Sequence, residues 1–173
     1  MQREYQRPRV GVSACLLGDP VRYNGGHKRH AWLVDVLGAE VDWVPVCPEV
    51  EIGLGTPRET IDLVRGADGV VRLETAETHV DLTERMRRFA AARVELLATL
   101  GLSGYVLKAD SPSCGIAGVR IVGSDAAGRG VFAAALLDRF PDLPIVDERG
   151  LDVAASREAF ADRVRAYHAK IQP

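Results

Sequence analysis

The sequence predicts an α/β fold: a single-domain, three-layer sandwich with a mostly parallel, Rossmann-like sheet. Short apolar segments alternate with longer amphipathic ones along the 173 residues, and this alternation is typical of parallel sheets covered by helices. The segment Gly104–Lys108 is too apolar for a sheet face that meets solvent. Because 47% of the residues are hydrophobic and no repeat or linker interrupts the chain, residues 1–173 are interpreted as one domain.

The strands are predicted from short apolar runs that end at turn-forming residues. In the first run Val10 and Val12 alternate with small residues, and the run stops before the turn cluster Leu17–Pro20. Pro45 lies near the end of the second run and predicts an edge strand or a bulge. The Gly- and Pro-rich segment Pro48–Arg58 is predicted to be a loop. In order, the predicted strands are Arg9–Cys15, Val41–Cys47, Ile61–Val64, Gly69–Leu73, Gly104–Lys108, Gly118–Gly123 and Pro144–Val146.

Helices are predicted where apolar residues recur at helical spacing. Asp81 and Glu84 form a capping box at the start of the longest stripe. Asp152 or Ser156 is expected to cap the last helix. The glycines of Gly128–Gly130 precede another helix and offer a weak signal for an anion cradle. The predicted helices span about His27–Leu37, Leu82–Leu100, Val131–Arg139 and Asp152–Lys170.

Charge and hydropathy exclude several classes of function. The 22 basic and 24 acidic residues give a net charge of −2, so no basic surplus is available to bind a long nucleic acid. No apolar run is long enough to span a membrane. The polar segment Met1–Pro8 lacks the apolar core of a signal peptide, and a cytoplasmic protein is expected.

Three cysteines stand out by their position. Cys15, Cys47 and Cys114 each lie at or just beyond the end of a predicted strand, ahead of a loop rich in Gly and Pro. Ligands of open α/β sheets bind outside the carboxyl ends of the strands, so the three thiols are expected to meet in one site. The alternative is that they are small buried hydrophobic residues, since free cysteine often has that role.

The thiols alone leave the nature of such a site open. A structural zinc ion takes four ligands, and the scattered histidines His27, His30, His79 and His168 do not neighbour a cysteine. A cubane [4Fe–4S] cluster normally takes four thiolates, so three would leave one iron open. An open metal position is typical of catalysis.

Several motifs resemble the family of bacterial thiouracil desulfidases, and they do so in order and over nearly the entire chain. The combination of SACLLG, CPE and SPSCG is the most specific part of this resemblance. The matching segments are Ser13–Gly18, Val21–Gly25, Pro45–Val50, Gly53–Arg58, Lys108–Gly115, Gly128–Leu137 and Val146–Glu148.

The resemblance implies a cofactor and a reaction. It implies a [4Fe–4S] cluster on Cys15, Cys47 and Cys114, with one iron not bound by protein. That iron would take the thiocarbonyl sulfur of 2- or 4-thiouracil, and water would replace sulfur on the carbon to give uracil and hydrogen sulfide without net redox change. Glu49 and Ser111 would be the acid/base and substrate-contact residues. Glu49 is two residues beyond Cys47, close enough to move protons near any metal there.

Four further residues are candidates for substrate binding, each with a structural alternative. Lys108 is expected either to stabilise negative charge or to form an ion pair at a strand end. Tyr23 would stack on a pyrimidine or be an ordinary loop aromatic, and Asn24 shares its loop. Ser113 flanks Pro112 opposite Ser111, where turn formation and helix capping are the favoured alternative.

Other functions remain open from the sequence. A non-enzymatic iron–sulfur or zinc-binding module would need the cysteines but no proton-moving carboxylate. A zinc hydrolase on three cysteines is a second alternative. Desulfuration of a thiolated nucleoside or tRNA is a third, although a small thiopyrimidine is preferred because the chain has no basic surplus. The oligomeric state is not predicted.

Overall fold

A computed structural model describes residues 6–172 and shows strands alternating with helices. The strands of this part of the chain are β1 (Arg9–Ser13), β2 (Asp42–Val46), β3 (Ile61–Arg65), β4 (Val71–Thr75), β5 (Leu102–Leu107), β6 (Val119–Val122), β7 (Ala127–Gly128) and β8 (Ile145–Asp147). Its α-helices are α1 (Ala31–Asp35), α2 (Pro48–Glu51), α3 (Thr83–Thr99), α4 (Val131–Arg139) and α5 (Ala154–Ile171). Short 3₁₀ turns cover Ala14–Leu17, Leu37–Ala39 and Glu148–Leu151.

Four strands form an entirely parallel sheet in the order β2-β1-β5-β8, which confirms the predicted α/β class. Pro45 lies in β2, at the edge of this sheet, where a residue without an N–H is tolerated. All six residues of β5 are buried, as expected for a central strand covered on both faces.

Helices cover both faces of the parallel sheet and complete three layers. On one face, Val10, Val12 and Val106 pack with residues of α1 and α5, including Phe160 and Val164. On the other face, a second core joins the sheet to the apolar sides of α3 and α4. The sheet residues of that core include Val46, Tyr105 and Leu107, and the helix residues include Val94, Leu97, Phe132 and Leu136.

Gly11 shows how closely the second core is packed against β1. A Cβ atom at this position would lie 2.1 Å from the Tyr105 ring. Tyr105 is fully buried, so its ring has no room to move aside. A larger residue at position 11 would therefore displace the ring that fills the centre of this face.

A second sheet, which the sequence did not predict as such, has the strand order β4-β3-β6-β7. β3 pairs antiparallel with β4 and parallel with β6, and β6 pairs antiparallel with β7. Leu63, Leu73 and Ile121 pack with Met86 of α3 in a third core. This sheet faces the carboxyl ends of the parallel strands and forms the far wall of the site described below.

Several predicted boundaries were wrong. α1 is one short turn of helix with His30 as its N-cap, much shorter than predicted. α2 lies inside the segment predicted as loop, because Pro48 at its first position has a backbone angle suited to a helix start. The N-cap of α5 is Val153, without a side-chain cap, so neither Asp152 nor Ser156 has the expected role. The N-cap of α3 is Leu82, without a side-chain cap, so Asp81 and Glu84 do not form the predicted capping box, although Asp81 Oδ1 accepts the Thr83 N–H at 2.8 Å.

Two expectations concern the ends of the chain and membranes. Most of the Met1–Pro8 segment, residues 1–5, lies outside the described residues. Within residues 6–172, no helix combines the length and the apolar character that crossing a membrane requires.

Candidate active site

A cavity of about 630 Å³ opens at the carboxyl end of the parallel sheet. Its near wall is formed by the ends of β1, β2 and β5, and its far wall by residues of β3 and β6. Cys15, Cys47 and Cys114 all line it, and all three are free thiols. The candidate residues Tyr23, Glu49, Lys108 and Ser111 line the same cavity, whereas Asn24 and Ser113 do not.

The fold delivers each cysteine from a strand end. Cys15 lies in the 3₁₀ turn that directly follows β1, and Cys47 follows β2 as the N-cap of α2. Cys114 lies in the loop between β5 and β6. Parallel neighbouring strands end at the same edge of a sheet, which explains how thiols separated by 32 and 67 positions reach one cavity.

Burial keeps the three thiols protonated. Burial raises the pKa of Cys15 to about 11, against the opposing effect of the Lys108 ammonium. Burial and the nearby Glu49 carboxylate raise the pKa of Cys47 to about 12. The pKa of Cys114 is raised well above its usual value by burial and then by Glu49, while the Ser13 hydroxyl acts in the opposite direction.

Glu49 lies in the first turn of α2, beside the thiol that precedes this helix. The Cys47 Sγ–H donates to Glu49 Oε2 at 3.6 Å and has the Val21 carbonyl oxygen at 3.9 Å. The carboxylate is half-buried on the cavity wall. It is thus placed to accept or donate a proton at the cavity surface.

Ser111 shapes the loop that carries Cys114. Its Oγ accepts the N–H groups of Ser113 at 3.2 Å and Cys114 at 3.0 Å. Both bonds use the oxygen as acceptor, so the hydroxyl proton is left to be donated into the cavity. Ser113 is fully buried, and its Oγ has no hydrogen-bond partner among residues 6–172.

The start of α4 is packed against the same loop and does not form the suggested anion cradle. The N–H groups of Val131 and Ala133 donate to the carbonyls of Pro112 and Ser113, both at 3.0 Å. A Cβ atom on Gly130 would lie 2.4 Å from the Ser113 carbonyl. The glycine is therefore required for close approach of two backbones, and the amides that would hold an anion are already taken.

Lys108 forms an ion pair at a strand end, which is one of its two sequence-based alternatives. Its Nζ forms an ion pair with Glu148 and donates to the Ala109 carbonyl at 2.8 Å. The side chain also lines the cavity, and its charge lowers the pKa of Cys15 against the effect of burial.

Tyr23 and Asn24 differ in their surroundings. Tyr23 is exposed at the cavity wall, and the Arg22 guanidinium lies 5.5 Å from the centre of its ring. Asn24 Oδ1 accepts the Gly26 N–H at 3.0 Å, so its side chain stabilises a turn outside the cavity lining.

Sequence reasoning missed the charged residues of the far wall. Arg58 reaches the cavity from the segment before β3, Asp62 from β3 and Arg120 from β6. Within residues 6–172, no carboxylate lies within ion-pair distance of Arg22, Arg58 or Arg120. Arg58 ends the motif GLGTPR, the one signal that pointed to this wall.

The described residues contain no group of three or more His, Cys, Asp or Glu side chains close enough to hold a single metal ion. None of the four histidines, all of which lie within residues 6–172, lines the cavity. In the sequence, too, no histidine neighbours a cysteine.

Comparison with known proteins identifies the family. The family model described as 2-thiouracil desulfurase matches residues 10–148. This chain belongs to the 2-thiouracil desulfurase family. The match runs from β1 to Glu148 and includes every residue of the cavity wall named above.

Two relatives of this chain are similar to it over most of their length. The uncharacterized protein YbbK of Bacillus subtilis (strain 168) is 35% identical over 136 residues, which cover 72% of this chain and 87% of that protein. The solved structure of TudS, described as a [4Fe-4S]-dependent thiouracil desulfidase, is 35% identical with a TM-score of 0.67. That match covers 88% of this chain and 99% of TudS.

Proposed function

We propose that this protein is an iron–sulfur-dependent thiouracil desulfidase that converts thiouracil to uracil and hydrogen sulfide without net redox change. The single observation that carries the proposal is that three free cysteines, each from a different strand end, line one cavity together with Glu49. Membership of the 2-thiouracil desulfurase family and the likeness to TudS support it. The scheme uses Cys15, Cys47 and Cys114 as the only protein ligands of a [4Fe–4S] cluster.

The chemistry of the donor set fits such a cluster. Iron–sulfur clusters are held by thiolates, and three thiols face this cavity. The raised pKa values show that thiolates are costly there without a bound cation, and metal binding releases such protons. Around a cubane the three sulfurs are expected roughly 6–7 Å apart, given metal–sulfur bonds of about 2.3 Å.

When bound, a cluster on three cysteines would supply a sulfur-seeking Lewis acid at an iron without a protein ligand. The remaining work belongs to the side chains. Glu49 Oε2 holds or moves a proton between water, the base and the departing sulfide. The Ser111 hydroxyl, whose oxygen is already fixed by two N–H donors, donates its proton to the bound base.

The position of Glu49 also separates the enzyme from a simple cluster carrier. A carrier or sensor needs the three thiols but has no use for a carboxylate 3.6 Å from one of them. A cytoplasmic location, expected because reducing conditions keep thiols unpaired, is part of the same proposal.

A second candidate substrate is a thiolated nucleotide. The arginines at positions 22, 58 and 120 line the cavity without a carboxylate partner among the described residues, and guanidinium groups bind phosphate well. A phosphate would give these guanidinium groups an anionic partner at ion-pair distance, in a cavity that also contains the carboxylates of Glu49 and Asp62. Arg120→Gln should then raise KM for the nucleotide several-fold and leave KM for the free base unchanged.

The experiment that tests the proposal is anaerobic reconstitution with iron and sulfide, followed by a sulfide-release assay. The substrates are 2-thiouracil, 4-thiouracil, 4-thiouridine and its 5′-monophosphate. Release of sulfide with stoichiometric formation of the oxo base, and no consumption of reductant, is the expected result. A reconstituted protein that retains its cluster but releases no sulfide from any of the four would overturn the proposal.

A further inference from the structure

Glu148 binds the segment at the end of β5 with both of its carboxylate oxygens. One oxygen forms an ion pair with the Lys108 ammonium, and Oε2 accepts the Ala109 N–H at 2.6 Å. The side chains of both partners are mostly buried, with 17% of Glu148 and 21% of Lys108 exposed. Glu148 itself does not line the cavity.

The next residue makes a second contact with the same segment. Arg149 Nη1 lies 3.2 Å from Asp110 Oδ1. Asp110 has a φ of 61°, a left-handed conformation that Asp adopts more readily than most non-glycine residues. Glu148 and Arg149, which follow β8, thus contact Lys108, Ala109 and Asp110, which follow β5. Of these contacts, the one to Ala109 is made to the backbone.

This segment leads directly into the active-site loop. Ser111 follows Asp110, and the Ser111 oxygen accepts the Cys114 N–H. The Lys108 N–H donates to Ser13 Oγ at 2.9 Å, which ties the segment to β1 as well. A shift of the Ala109 backbone would therefore move Ser111 and Cys114 together.

We propose that Glu148 is a positioning residue for the desulfuration site: it clamps the backbone at Ala109 and so fixes the Ser111 hydroxyl relative to the cysteines. The inference rests on the proposed function only for its effect on turnover. The clamp acts mainly through the Ala109 N–H, because this group belongs to the backbone that leads directly into the loop of Ser111 and Cys114. The ion pair with Lys108 sets the direction of the carboxylate.

The first test uses iron-free protein and hydrogen–deuterium exchange over residues 109–114. Glu148→Ala should speed exchange in this segment at least tenfold. Glu148→Gln keeps an oxygen that accepts the Ala109 N–H and should restore exchange to within threefold of wild type. Glu95→Gln is the matched control, since it breaks an exposed ion pair with Arg139 far from the site and should change nothing here.

The second test measures kcat and KM per bound cluster, with iron content determined for each variant. Glu148→Ala should lower kcat about tenfold with KM within threefold of wild type, because small misplacements of a reacting group mainly slow the chemical step. Glu148→Gln should recover most of kcat. Lys108→Met separates the two contacts with Ala109. Added to Glu148→Ala, it removes only the Nζ contact with the Ala109 carbonyl and should speed exchange by no more than a further threefold, since the bond to the Ala109 N–H is already lost.

The clamp is refuted if Glu148→Ala leaves exchange over residues 109–114 unchanged. It is also refuted if that variant merely loads less iron while kcat per cluster stays at the wild-type value, because that would be a purely structural role. Should Glu148→Ala fail to fold, Glu148→Asp decides, because its shorter side chain withdraws the carboxylate from the Ala109 N–H: unchanged exchange over residues 109–114 in that variant contradicts the clamp. A wild type that releases no sulfide would refute the proposed function, while the exchange result would still decide the clamp.

Discussion

Glu49 is the residue proposed to move a proton during desulfuration, and it is not among the proposed cluster ligands. Glu49→Gln should keep the cluster and most substrate binding, because Gln preserves the shape of the side chain. Turnover should fall on the order of 10²–10⁴-fold, the usual contribution of a positioned acid or base. The measurement is single-turnover sulfide release with cluster content matched to wild type.

Cys47→Ala is the companion variant for Glu49→Gln. It removes a proposed ligand and should lose cluster and activity together, so the pair separates chemistry from assembly. A Glu49→Gln rate within threefold of wild type would mean that Ser111, Lys108 or water moves the proton instead.

The Ser111 hydroxyl accepts two loop N–H groups and is also proposed to donate its proton to the substrate. Ser111→Ala removes the acceptor for two N–H groups and the hydroxyl proton. Turnover should fall by about tenfold, equivalent to about 1–2 kcal/mol for a lost hydrogen bond. Ser111→Thr keeps the hydroxyl and should restore at least half of the rate; if Thr and Ala are equally slow, the hydroxyl is not what matters.

The thiols of the iron-free protein should be unreactive at pH 8. Their pKa values rise from an ordinary 9.0 to about 11 at Cys15 and about 12 at Cys47, so the thiolate fraction falls on the order of 10²-fold or more. Alkylation by iodoacetamide should be slower by that factor in folded than in urea-unfolded protein. Equal rates in the two states would show that burial does not suppress ionisation.

The same shifts make the stability of the iron-free protein depend on pH. The folded state keeps thiol protons that the unfolded chain loses above about pH 9, so the free energy of unfolding should fall as pH rises from about 9 to 12. Below pH 9 the contribution is fully present. Urea titrations at pH 8 and pH 10.5 measure the change. A free energy of unfolding that is higher at pH 10.5 than at pH 8 would contradict the predicted direction.

At the level of elements, the start of α4 determines how closely its helix approaches the Cys114 loop. Gly130→Ala adds a methyl group 2.4 Å from the Ser113 carbonyl, and backbone on both sides cannot yield without moving the loop. Overpacking of this kind costs about 1–3 kcal/mol of unfolding free energy. Urea denaturation should show that loss.

Gly150→Ala is the matched control for Gly130→Ala. The nearest atom to a Cβ at position 150 is 3.9 Å away, an ordinary contact. The urea midpoint of Gly150→Ala should therefore stay near that of wild type. If both variants are equally stable, the close approach at Gly130 is not required.

The elements also show what sequence can predict here. β1, β2 and β5 were predictable because their apolar runs end in Gly- and Pro-rich turns, and the same signal placed Cys15, Cys47 and Cys114 at strand ends. α2 was missed because Pro48 reads as a loop residue, although its fixed φ suits a helix start. α1 was predicted too long because an apolar stripe does not reveal that the chain before Ala31 is held in an extended loop.

The far side of the cavity was not predictable from the sequence in the same way. β3, β4 and β6 are short, and their assembly into a second sheet depends on pairing between segments distant in the chain, such as Leu63 with Ile121. Arg58 and Arg120 reach the site only through that pairing. Local patterns could therefore predict the near wall of the cavity and its cysteines but not the charges opposite them.

At the scale of the entire molecule, three strand ends, the Glu49 carboxylate and the second sheet surround the proposed site for sulfur removal. If one iron of the cluster has no protein ligand, as proposed, that iron is exposed to oxidants, and aerobically purified protein is expected to be partly free of iron.

The decisive measurement is sulfide release from 2- and 4-thiouracil as a function of iron content, in one preparation reconstituted anaerobically to several levels. The rate should rise in proportion to cluster content, and Glu49→Gln should stay slower than wild type by on the order of 10²-fold or more at every level. Iron-free protein that desulfurates as fast as the fully reconstituted sample would contradict the account.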